Sequence, residues 1–128
     1  MERLFAWQAA RPRRQVVLLS GDVHVAAAFS VRARRGPGRV AQWTSSALST
    51  PGGIQHALGN RLVTRLARFG ESSLRVWRRG ITTGNNVGVV GVEGLPEGGH
   101  ALTFTAHEYD AKRDVLLPGL TDRSVPQT

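Results

Sequence analysis

Hydrophobic and polar positions change period several times along the chain, and each change marks an element. Residues 2–11 set Leu4, Phe5 and Ala9 toward one side, which predicts a short amphipathic helix stopped by Pro12. Residues 15–20, QVVLLS, contain a short continuous apolar run, the pattern of a buried central strand. Gly21 breaks that run. Residues 25–33 are small and apolar, then alternate, and predict a second strand. The segment RRGPGR at 34–39 is a turn by its Gly-Pro-Gly content. A third strand is expected over 40–46, with SSALSTPGG at 45–53 as a loop. Ile54, Leu58, Leu62 and Leu66 recur at four-residue spacing and predict a helix over 54–69. Arg61, Arg65 and Arg68 form a basic stripe elsewhere on its surface. Residues 73–78, 86–93 and 101–109 predict three more strands, the last two joined by the turn LPEGGH. After Asp110 the chain turns polar, and it is expected to fray beyond Pro118. The division is thus a domain over 1–112 and a polar tail over 113–128. A helix, several strands, one long helix and a closing strand pair predict an α/β layered architecture, with a sheet buried against helices.

Composition narrows the chemistry. A chain of 128 residues corresponds to one domain or a piece of one. There is no cysteine, so disulfides and thiolate metal sites are excluded. Any metal must be held by Asp, Glu, His, Asn or backbone oxygen. No stretch approaches the ~20 apolar residues of a membrane helix. The opening MERLFAWQAARPRRQ is not a signal-peptide pattern, because an acid follows Met1 and the apolar run is short and broken. A cytoplasmic location and no membrane partner are therefore expected. Seventeen Lys plus Arg against nine acids give a formal charge of +8. Such an excess attracts nucleic acid, phosphate esters or anionic membrane. An arginine-rich composition spread over a solvated surface explains it as well, and acidic metal ligands on a further segment would contribute.

The segment Ser20-Gly21-Asp22-Val23-His24 stands out, at the end of an apolar strand. Open α/β sheets place their ligands where strand ends run into loops. Asp22 and His24 are two apart, so in an extended chain both side chains project to the same side. Gly21 lets the backbone turn and approach a ligand closely. A carboxylate and an imidazole together suit Zn, Mn or Fe. On spacing alone a turn aspartate and a capped histidine are the commoner explanation.

The segment VVLLSGDVHVAAAFSV at 16–31 resembles the late catalytic motif of the PhoD-like (alkaline phosphatase D-like) metallophosphatases, within the wider calcineurin-like metallophosphoesterases. QWTSSALSTPGG at 42–53 is similar to that family's strand and serine loop. GNNVGVVGVE at 84–93 followed by ALTFTAHEYDA at 101–111 is similar to its closing hairpin. The likeness covers about residues 2–112, in order. It implies the C-terminal portion of a layered metallophosphoesterase sandwich, with a mixed sheet and flanking helices. It also implies a phosphate-ester hydrolase with a dinuclear centre of Fe, Mn, Zn or Ca. Carried onto this sequence, it makes Asp22 and His24 metal ligands, with His24 also a candidate to face the substrate. Ser45, Ser46, Asn85 and Asn86 stand near such a site, where turn hydrogen bonding explains them as well. The family's earlier Asp, His and Asn motifs have no counterpart before residue 15. The expected partner is therefore a missing N-terminal half of the domain, and the chain alone is expected to be inactive.

Other chemistries find no support. There is no Gly-x-Ser-x-Gly elbow, no phosphate-binding loop ending in Lys-Ser or Lys-Thr, and no Gly-x-Gly-x-x-Gly. His56, His100 and His107 lack ligand spacing to Asp22 or His24. The alternative to an enzyme is a small basic module contacting nucleic-acid phosphates. Its contacts would come from the 61–68 stripe and from Arg32, Arg34, Arg35, Arg75, Arg78 and Arg79. With no base-reading motif present, such binding would be weak and nonspecific.

Overall fold

A computed structural model describes residues 2–21, 25–45 and 74–126. Helix α1 spans Glu2–Ala9, and strands β1 to β4 span Val17–Ser20, Ala26–Ala33, Arg39–Thr44 and Leu74–Thr82. Strands β5, β6 and β7 span Asn86–Gly94, His100–Asp110 and Val115–Ser124. They form two sheets, one in the order β1-β3-β2-β4 and one in the order β5-β6-β7. In the first, β1 runs parallel to β3 while β2 pairs antiparallel with both β3 and β4. The second sheet is antiparallel throughout.

The inner faces of the two sheets make the main core. Ala26 and Ala28 of β2 and Ala41 and Trp43 of β3 meet Phe104 and Ala106 of β6 and Leu120 of β7. The alanines hold one inner face flat, so the large side chains fill the gap. Trp43 is 1% exposed and stacks on Phe104 with ring centroids 5.5 Å apart. A stacked aromatic pair adds roughly 0.5–1.5 kcal/mol beyond its burial. On the opposite face of the first sheet, Phe5 of α1 packs with Val31 and Val40. Gly38 permits this approach, since a Cβ there would stand 2.8 Å from the Phe5 carbonyl oxygen. Gln8 anchors the helix by accepting from the Arg39 amide at 2.8 Å.

The α/β layered sandwich with flanking helices is overturned. Strands hold 61% of the described residues and helix 8%, and the only helix among them is α1. Sheet packs on sheet, and the antiparallel β5-β6-β7 unit needs no crossover helix. The helix expected over 54–69 lies outside the described residues. The fraying expected beyond Pro118 is also corrected, because β7 pairs with β6 from Val115 to Ser124. Pro118 is tolerated there for two reasons. β7 is an edge strand of its sheet, and a register shift at Ala106/His107 leaves Gly119 as an extra residue beside the proline. No helix among the described residues is long and apolar enough to cross a membrane.

Candidate functional site

Chain direction brings one set of strand ends together. β1 and β3 finish at Ser20 and Thr44, β2 begins at Ala26, β4 finishes at Thr82, β5 begins at Asn86 and β6 finishes at Asp110. The register confirms the grouping, with Ser20 opposite Thr44, Ala26 opposite Thr82 and Asn86 opposite Glu108. The sequence leaves β1 through Gly21 and re-enters β2 through Val25 at this edge. Asp22, His24 and Ser46 themselves lie outside the described residues.

Polar side chains tie the edge together. Ser20 Oγ and Thr44 Oγ1 are 2.6 Å apart. The parallel ladder continues one step further, with the Ser45 amide donating to the Ser20 carbonyl at 3.2 Å. Ser45 Oγ donates to Asn86 Oδ1 at 2.8 Å, and Asn86 Nδ2 donates to the Gly84 carbonyl at 2.8 Å. Asn86 is only 3% exposed, so its amide is taken out of water and returned two hydrogen bonds by the protein. Gly88 makes room for the serine, because a Cβ there would stand 2.6 Å from the Ser45 Cβ. Ser45 and Asn86 are thus brought together across the two sheets, as the sequence placed them near one site. Both are occupied as fasteners, and among the described residues no histidine stands against the Ser45 hydroxyl to activate it.

Asn85 is different. Its carbonyl accepts from the Tyr109 amide at 2.8 Å, while its side-chain Oδ1 is buried with no hydrogen-bond partner among the described residues. A buried unpaired oxygen costs about 1–3 kcal/mol. Glu108 belongs to this end as well. As the direct partner of Asn86 it shares the inward face. Gly84 and Gly119 flank it, since Cβ atoms there would stand 3.0 and 2.6 Å from its carboxylate oxygens. Only the β5–β6 register reveals this. Ser20 and Thr44 were also missed as site residues, though Ser20 opens the motif itself.

For metal chemistry this edge offers oxygen donors, the Glu108 carboxylate and the unpartnered Asn85 Oδ1, beside the sequence that carries Asp22 and His24. These donor types fit a divalent ion, as part of a set. Among the described residues no three His, Asp or Glu side chains gather closely enough to hold an ion. A cleft of about 830 Å³ lined by Pro12, Arg13, Glu97 and Arg123 lies at the other end of the sheets, apart from this edge. No protein-family profile, no curated protein and no solved structure matches the chain.

Proposed function

We propose that the chain forms part of the catalytic domain of a metal-dependent phosphoesterase of the PhoD-like type. One observation carries the reading. The chain enters Asp22-Val23-His24 from a strand edge already fastened by the Ser20–Thr44 and Ser45–Asn86 hydrogen bonds. A rigid scaffold edge that leads into a loop bearing ligands is the usual support for a metal site. In this reading Asp22 and His24 hold metal, and Asn85 Oδ1 and Glu108 face the same edge as oxygen donors. In the alternative arrangement Asp22 alone of the pair holds metal, and His24 donates to a substrate phosphate as imidazolium. A metal held by these residues would supply polarisation of a phosphoryl oxygen and a bound water of lowered pKa. In this reading the remaining ligands of a dinuclear centre come from further protein, because the described residues of this edge do not complete one.

Two measurements test it. In the first, Mn is titrated into the chain while the four histidine imidazoles are followed by NMR. His24 should broaden ahead of His56, His100 and His107, and Asp22→Ala should remove the preference. Equal broadening of all four rings sinks the metal assignment. In the second, hydrolysis of an aryl phosphate ester is assayed with Mn, Zn, Fe and Ca. The chain alone should turn over little or nothing, since affinity falls steeply when ligands are missing. A protein that adds the remaining ligands should be active and should lose activity with Asp22→Ala or His24→Ala. Activity indifferent to both substitutions refutes the site.

A further inference from the structure

The first sheet sets three arginines side by side. Arg32 on β2 stands directly opposite Arg39 on β3 and directly opposite Arg75 on β4. Direct partners share a face at strand spacings of about 4.8 Å, so the row spans roughly 10 Å. Like charges so placed destabilise a sheet. Arg79 adds a fourth guanidinium. It is the extra residue at the register shift between Ala28 and Phe29, and its Nε lies 3.3 Å from Asp122 Oδ1. Among the described residues Asp122 is the carboxylate that reaches this face, and Trp43 Nε1 already donates to its other oxygen at 2.9 Å. The guanidinium pKa of Arg39 is drawn below its ordinary value by burial first, then by Arg32 and Arg79, with Asp122 opposing. Trp77 stands in the next row, opposite Ser30 and 43% exposed. The Arg32 guanidinium carbon lies 5.6 Å from its ring centroid.

We propose that the Arg39–Arg32–Arg75 row is a binding site for an anion carrying two or more linked phosphoryl groups. A row of about 10 Å is longer than one phosphate and suits a short chain of them. Arginine forks match phosphate oxygens two at a time, and the planar guanidinium is already braced against Trp77. The bound anion supplies negative charge that the described residues leave out of this face. The row lies at the opposite end of the first sheet from Ser20 and Thr44, so it stands or falls apart from the phosphoesterase reading. Two sources carry such an anion, a free oligophosphate and the backbone of single-stranded nucleic acid.

The test is calorimetric titration of the whole chain with inorganic tripolyphosphate and with orthophosphate, at fixed salt. Tripolyphosphate should bind saturably and more tightly than orthophosphate. Arg32→Gln should weaken it by about tenfold or more, the equivalent of one charged hydrogen bond, while the thermal midpoint holds or rises. Arg75→Gln, on an edge strand of the described sheet, should weaken it too and guards against a folding defect at Arg32. Arg3→Gln on α1 should leave binding unchanged. A single-stranded thymidine oligonucleotide that displaces tripolyphosphate identifies nucleic acid as the source, and one that does not identifies a free oligophosphate. Absence of saturable tripolyphosphate binding overturns the proposal. So does equal weakening by Arg3→Gln and Arg32→Gln, which would mean diffuse attraction to a basic protein.

Discussion

Trp43 does two jobs with one ring. Its face stacks on Phe104 and its Nε1 donates to Asp122, whose side chain is 8% exposed. Trp43→Phe keeps an aromatic in the core but removes that donor from a carboxylate with little access to water. A loss of about 1.5–3 kcal/mol is expected, the range for a hydrogen bond to a charged group, read from the urea midpoint. A neutral outcome would mean that Arg79 alone satisfies Asp122. Tyr109 offers a second measurement, because it is the only tyrosine in the chain. Its phenol hydrogen-bonds Asp114 Oδ1 at 2.7 Å. That bond first, then partial desolvation and the charge of Asp110, raise its pKa above the ordinary value. A raised phenol pKa favours the neutral form in the folded state. Its contribution is therefore present below the unfolded pKa and lost as pH rises through the folded one. Phenolate absorbance should appear at higher pH than for a free tyrosine, and Asp114→Ala should move it back down. At this scale the sequence singled out Ser45 and Asn86 through their order after strands, and the structure joins them by a hydrogen bond. It hid Glu108 and the arginine row, because both depend on which residues face each other across strands, and that is register.

Among the elements, β7 departs most from its sequence pattern. Polar residues and Pro118 argued for a tail, yet Leu120 enters the main core and Asp122 links the sheets. The strand is an edge with a bulge at Gly119, and proline breaks few hydrogen bonds in that setting. A chain ending at Arg113 should lose near-ultraviolet dichroism and cooperative thermal unfolding. Retention of both would return residues 113–128 to the status of a tail. The other strands were legible as periodicity, from QVVLLS to ALTFTAHEY, with ends that differ by a few residues. β4 extends to Thr82 instead of stopping at Arg78 because the bulge at Arg79 carries pairing past a break in the alternation. The class was misread because a continuous apolar run does not distinguish a strand covered by helices from one covered by a second sheet.

For the whole molecule, order along the chain and position in space disagree. The sheet that begins with β1 and β2 is covered by β6 and β7, the last strands of the described chain. Contacts of such long sequence separation slow folding, because loop-closure entropy is lost before they form. The same disagreement has a consequence during translation. While the ribosome is still adding residues up to Phe104, Ala26, Ala28 and Trp43 lack the β6 and β7 side chains they pack against. The first sheet therefore waits for its native cover until β6 and then β7 emerge. Force profiles taken with arrest peptides at successive lengths should stay flat until the segment beyond Asp122 has cleared the exit tunnel, and then show one late peak. Chaperones that shield exposed strands should therefore engage the nascent polypeptide once β3 has emerged and release it when β7 has followed.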